Sequence, residues 1–274
     1  MGADGAEVLV RRAAGLAVLA VAALVLAGCG AKKTLHVSGS PPPAGTRSLA
    51  SAAAQTAGVS GEHMDLTMTI DAGTGSPIKM TGSGDFQNKP LLGSMTLTMN
   101  LAGANVDMDE VMSGTVVYVS SSLFGSTLPK GIKWLSIDYA KATKKLGMDI
   151  SQYTQQNPTQ ILESLRKVGK VTKLGTEQVD GQATTHYQAV IDINKVSYGA
   201  KLQSLYHPVY KPVDVWVGSD GLVRRVTMSF TEQVSGKTVA MTMTEDLSNF
   251  GENVSVKVPS SDETVDATNL SSGG

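Results

Sequence analysis

The chain has 274 residues, 23 Lys plus Arg against 24 Asp plus Glu, and one cysteine, Cys29. A single thiol excludes an intrachain disulfide and any cysteine-based zinc or iron–sulfur centre. The net charge of -1 gives no overall pull on nucleic acid, and 41% hydrophobic residues is too many for a disordered chain and too few for a multi-span membrane protein.

The first element is an address. Arg11 and Arg12 precede an apolar run, Ala13 to Leu26, which closes on Leu26-Ala27-Gly28-Cys29. The run is shorter than the roughly 20 apolar residues that a permanent span needs, and it fits the charged and apolar regions of a secretory signal. Leu26-Ala27-Gly28-Cys29 resembles the lipobox of bacterial lipoproteins. The resemblance implies cleavage before Cys29, diacylglycerol on its sulfur and acylation of the new N-terminus. Residues 1–28 are thus read as signal peptide. The general secretory route is favoured, although Arg11-Arg12 leaves the twin-arginine route open.

Residues 29–60 contain Pro41-Pro42-Pro43 and many Ser, Ala, Gly and Thr. They read as the lipidated cysteine and a flexible tether, with a helical turn or two at Leu49–Ala57. From residue 61 to 260 the pattern is that of one domain. Met64, Leu66, Met68 and Ile70 alternate with polar residues, as do Ile78, Met80 and Phe86, then Met95, Leu97, Met99 and Leu101, then Val106 and Met108. Period two predicts half-buried antiparallel strands. Val116–Ser120, with Val117 and Val119, and Ile132–Ile137 read as two more.

The period then changes. Tyr139–Leu146 is predicted as a short helix stopped at Gly147. A second helix starts at Asn157-Pro158 and carries Ile161, Leu162, Leu165 and Val168 at helical spacing. Strands Val171–Val179 and Ala183–Ile193 flank the turn Asp180-Gly181. Lys195–Tyr206 is a possible third helix. Val213, Val215 and Val217 lead through Ser219-Asp220-Gly221 into Val226, Met228 and Phe230; Ser235-Gly236 turns the chain into Val239, Met241 and Met243. Asn249–Val258 is read as a last strand, and residues 261–274 as a flexible tail. The fold class is α+β, with about ten hairpin-linked strands and helices falling between two strand groups.

Twelve methionines stand against four phenylalanines, and most methionines lie on the apolar parity of strands. Methionine fills irregular space and recurs on surfaces that accept varied apolar partners. Gly82 and Gly84, on the same parity, leave volume unfilled. The same residues suit either a plain packed core or an apolar cavity.

Catalytic chemistry finds little support. No G-x-S-x-G elbow is present, and the two S-x-x-K matches, Ser76 to Lys79 and Ser164 to Lys167, lack companion motifs. His36, His63, His186 and His207 have no partners at metal-ligand spacing. Asp107, Asp109 and Glu110 form the densest acidic cluster, best read as a solvated strand face. No catalytic residue, metal or cofactor is predicted.

The lipobox, the Pro-rich tether, the long antiparallel sheet and the central helices together resemble the LppX/LprA/LprF/LprG lipoproteins of actinobacteria. Lys133-Trp134-Leu135-Ser136-Ile137-Asp138 resembles that family's strand before its helices, and Asn157-Pro158 through Val168 its covering helix. Val179-Asp180-Gly181-Gln182-Ala183-Thr184-Thr185-His186-Tyr187 resembles the hairpin that follows, and Val215–Val223 the next. The family is similar to the LolA and LolB carriers. The resemblance implies a strongly curved half-barrel with helices over its concave face, and an acyl lipid or glycolipid held between them and carried away from the inner membrane. The implied cavity candidates are Met64, Leu66, Met68, Ile70, Met80, Met95, Leu97, Met99, Val117, Val119, Ile161, Leu165, Val215, Val217, Met228, Phe230, Met241 and Met243, with Ser120–Gly131 as gate. An envelope transporter is a possible partner. The rival expectation is a non-catalytic envelope lipoprotein that acts as an interaction or sensor module without a lipid cargo. In either case lipid on Cys29 anchors the protein at the outer face of the cell membrane.

Overall fold

The computed structural model describes residues 44–73, 75–101, 103–145, 170–190, 209–234 and 237–268. Helix α1 (Ala44–Thr56) comes first, followed by β1 (Gly61–Asp71), β2 (Ile78–Asn88), β3 (Leu91–Leu101), β4 (Ala104–Ser113) and β5 (Val116–Ser121). A 3-10 turn (Ser122–Thr127) leads to β6 (Trp134–Asp138) and helix α2 (Tyr139–Lys145). The later strands are β7 (Val171–Val179), β8 (Gln182–Ala189), β9 (Val209–Tyr210), β10 (Val213–Gly218), β11 (Val223–Val234), β12 (Lys237–Ser248) and β13 (Thr264–Asp266).

All thirteen strands join one large, curved, open sheet in the order β13-β6-β5-β4-β3-β2-β1-β12-β11-β10-β8-β7, with β9 pairing beside β11. The first and last long strands, β1 and β12, meet at its centre, so the two strand groups of the sequence are two wings of one sheet. Strand alternation explains the layering: the apolar parity of each strand falls on one face, and Thr, Ser, Asp and Lys fall on the other. The β7–β8 turn has Asp180 at φ 48° and Gly181 at φ 75°, the left-handed pair that a two-residue hairpin requires.

Glycines in β2 fit large neighbours rather than leaving space. A Cβ on Gly82 would lie 2.5 Å from Leu97 Cδ2 and 2.9 Å from Met95 Sδ. One on Gly84 would lie 2.2 Å from Ser94 O. The unfilled volume expected at Gly82 and Gly84 is therefore taken up by the side chains and backbone of β3.

Three expected boundaries shift. The folded body includes Ala44–Thr56, ahead of the expected start at residue 61, because α1 buries Leu49, Ala50 and Ala52. The Val223 amide donates to Thr56 Oγ1 at 2.8 Å, which ties the end of α1 to β11. The expected strand at Asn249–Val258 has no ladder: β12 ends at Ser248, and Glu252–Ser260 has no regular secondary structure. Its alternation is real, with Val254 and Val256 half-buried and Ser255 and Lys257 exposed, but the segment lies across the polar face instead of joining the sheet. The tail is not flexible at its start either. β13 pairs in parallel with β6, and Ala267 and Thr268 are buried. That parallel pair breaks the all-antiparallel expectation, and the segment after β12 carries the chain from the middle of the sheet to its β6 edge.

The predicted helix from Asn157, with Ile161 and Leu165, lies outside the described residues, as do Lys195–Tyr206 and the Ser235-Gly236 turn. β8 ends at Ala189, short of the expected Ile193.

Candidate ligand-binding face

The apolar face is built row by row from the register. One row runs Met228–Met243–Met68–Met80–Met99–Val106 across six strands. The next runs Val226–Glu245–Leu66–Gly82–Leu97–Met108. A third starts at Leu247 and runs Met64–Gly84–Met95–Glu110–Val119. Leu49 and Ala52 of α1 join the same cluster, so this helix lies on the apolar face. Helix α2 sits over the other wing, where Tyr139 meets Met112, Val117 and Val119.

The structure places the predicted residues as follows. Met64, Leu66, Met68, Ile70, Met80, Met95, Leu97, Met99, Val215, Val217, Met241 and Met243 are buried in one cluster, with Met228 and Phe230 partly buried against it. Val117 and Val119 belong to a separate, smaller cluster. Ser120–Gly131 holds a single 3-10 turn whose start is capped by Ser121 Oγ accepting from the Leu123 amide at 3.2 Å.

Sequence reasoning missed the most unusual members of this face. Glu62, Glu110 and Glu245 share the parity of the methionines and are only 1%, 6% and 3% exposed. Burial pushes the carboxyl of Glu62 up to about 8, with the nearby charge of Glu245 adding to the shift. Burial alone raises Glu245 to about 8 and Glu110 to about 7. Glu62 and Glu245 are therefore mostly protonated near neutrality, and Glu110 is divided between its two forms. The signal was present: each glutamate stands two residues from a buried apolar residue of the same strand, at Met64, Met108 and Met243.

The polar face carries the opposite arrangement. His63 Nδ1 lies 2.6 Å from Asp85 Oδ1, and that hydrogen bond raises the imidazole pKa. Arg225 donates to both oxygens of Asp246, at 2.5 and 2.8 Å. The Thr96 and Thr98 hydroxyls donate to Asp109 and Asp107 at 3.0 and 2.7 Å, which accounts for two members of the acidic cluster as surface carboxylates. The third, Glu110, points to the other face. His186 is held between Glu177 and Asp214 at 2.8 and 3.0 Å and stacks on Trp216. The chain after β12 covers part of this face and leaves a groove of about 440 Å³ whose lining includes Asp85, Ser94, Thr96, Trp134 and Val256.

The match to known proteins agrees with this architecture. The model of the LppX_LprAFG lipoprotein family matches residues 44–256. The chain belongs to this family. The LppX_LprAFG match opens at the first residue of α1, so the helix is part of the family's domain and not of a tether. The lipoarabinomannan carrier protein LprG of Mycobacterium tuberculosis is 29% identical over 251 residues, covering 91% of this chain and 95% of LprG. The LprG of Mycobacterium bovis matches to the same extent. The crystal structure of the M. tuberculosis lipoprotein LppX superposes with a TM-score of 0.50 at 16% identity, over 79% of this chain and all of LppX, and shares the fold. That of LprF from M. bovis gives 0.44 at 18% identity, over 81% of this chain and 99% of LprF.

Proposed function

We propose that the protein is a lipid-anchored, extracytoplasmic carrier that takes up an acyl lipid or glycolipid on the apolar face of its sheet and moves it from the inner membrane toward the cell envelope. The observation that carries this reading is the extended face of methionine, leucine and valine, with few rings to plug it, in a chain of this lipoprotein family. Its relative LprG is named a lipoarabinomannan carrier, which supports a lipoglycan as one class of cargo. Each acyl CH₂ buried gains about 0.8 kcal/mol, so a dry apolar surface competes with a bilayer without any catalytic group. Acylation of Cys29 holds the carrier at the membrane from which it loads. Among the described residues no helix is long and apolar enough to cross a membrane.

The test is native mass spectrometry of the mature chain from Gly30 onward, secreted by an actinobacterial host. Co-purified lipid, exchangeable for added lipid, is the expected result. A lipid-free protein that binds none overturns the carrier reading in favour of a module without cargo. Labelling with a palmitate analogue, lost in Cys29→Ala, tests the anchor.

A further inference from the structure

Among the described residues, four carboxyl oxygens on the apolar face have no hydrogen-bond partner: both of Glu62, Oε1 of Glu110 and Oε1 of Glu245. All belong to side chains more than nine-tenths buried. The register shows what surrounds them. Glu245 stands between Leu66 and Val226, Glu110 between Met95 and Val119, and Glu62 opposite Phe86. Glu62 has a polar neighbour, the Asn88 side chain, whose hydrogen-bonding interaction lowers its pKa, and the Asn88 amide also donates to Val59 O at 3.5 Å.

Buried polar groups in folded proteins are nearly always satisfied, and one left unpaired costs about 1–3 kcal/mol. Leu or Met at these three positions would pack equally well among the same neighbours. Three unpaired acids on one face, and that face the one proposed to receive lipid, therefore ask for a partner that arrives with the ligand. The polar face shows that the chain readily pairs its carboxylates where no ligand is involved: Asp85, Asp107, Asp109 and Asp246 all have partners.

We infer that Glu62, Glu110 and Glu245 are hydrogen-bonding points for hydroxyl groups of the bound lipid, so that the cargo is a hydroxyl-bearing lipid and not a plain acyl chain. The inference rests on the carrier reading and narrows it. A protonated carboxyl offers one donor and two acceptor sites, and a hydroxyl offers the same complement, so the two satisfy each other. An ammonium has donors only and suits an ionised carboxylate, which burial disfavours here. The hydroxyls come either from a polyol headgroup or from the acyl chain itself.

The experiment separates these sources with two lipid pairs, each tested on the mature chain from Gly30. Dipalmitoyl phosphatidylinositol and dipalmitoyl phosphatidylmethanol share chains and phosphodiester, and only the first has hydroxyls beyond them. 12-Hydroxystearate and stearate differ by one chain hydroxyl. The wild type should prefer the hydroxylated member of one pair by about tenfold, and that pair identifies the source. Glu110→Leu and Glu245→Leu should lose the preference, keep affinity for the plain member, and unfold at a higher temperature than wild type. Glu→Gln at the same positions retains hydrogen bonding and should keep most of the preference. Equal binding of both members of both pairs by the wild type overturns the inference while leaving the carrier reading intact. So does a preference that survives in the Leu variants, or tighter binding of octadecylamine than of either hydroxylated lipid. A chain that binds none of these lipids overturns the carrier reading and this inference with it.

Discussion

The two faces of the sheet treat the same functional group in opposite ways. On the polar face Asp246 takes two hydrogen bonds from Arg225, and Asp85 one from His63, both within reach of water. On the apolar face Glu62, Glu110 and Glu245, at exposures of 6% or less, keep oxygens without partners among the described residues. Side chains two residues apart share a face and adjacent ones do not, so Asp246 and Glu245 live in different solvents although they are neighbours in the chain. A carboxyl therefore reports its face through its protonation state, and that gives several ways to break or sharpen the contrast.

The largest effect should come from removing volume on the apolar face. Met64 is 1% exposed, and Met64→Ala should lower stability by about 2–5 kcal/mol by leaving a cavity. Urea denaturation of the mature chain measures this.

The next effect is on pH. Each buried glutamate has a folded-state pKa above its unfolded value of 4.5, about 7 for Glu110 and about 8 for Glu62 and Glu245. The folded state thus holds protons that the unfolded chain releases. This contribution to stability is full below pH 4.5 and declines as pH rises toward 8. The three losses add between pH 5 and 8 and should read as a progressive fall in Tm across that window. The variant carrying Glu62→Gln, Glu110→Gln and Glu245→Gln should show a much shallower profile over that window in thermal scans at fixed pH, with the slope due to His63 remaining.

A smaller effect lies on the polar face. Arg225→Ala removes a bidentate pair that is about a quarter exposed, so it should cost about 1 kcal/mol, with part of that lost in high salt. The smallest is Thr67→Ala. Thr67 lies on β1 between Leu66 and Met68 but is exposed on the opposite face, so the change should be within about 0.5 kcal/mol. A Thr67→Ala loss comparable to that of Met64→Ala would erase the distinction between the faces.

Much of this contrast was legible in the sequence, because a period of two assigns each residue a face before any partner is known. Met64, Leu66, Met68 and Ile70 read correctly as one side of β1, and β7 has the predicted limits Val171 and Val179. What alternation does not carry is whether an extended segment is paired. Val254 and Val256 alternate as a strand would, yet the residues after β12 lie across the sheet. Helix α1 was underestimated because its inward side is mostly small residues, Thr46, Ala50, Ala52 and Thr56, with Leu49 its one large apolar anchor, and its composition resembles a linker's. β13 is three residues long and has no pattern to read. The buried glutamates were legible by parity but overlooked, since a lone acid among methionines resembles a solvated residue until its register places it among Leu66, Val226, Met95 and Val119.

The parallel strand at the end of the chain also bears on self-association. An open sheet exposes two rows of unpaired backbone groups, each a template for a second copy. Here the row along β6 is occupied by the protein's own C-terminal region, and the new outermost strand, Thr264–Asp266, is too short to recruit a neighbour. The other border, β7, is interrupted between Lys173 and Gly175 by a register shift that spoils a continuous template. A wide half-open sheet with a sticky interior is thereby kept from zipping onto its copies at either rim, so the molecule can offer an apolar surface to a lipid without offering its backbone to another protein chain.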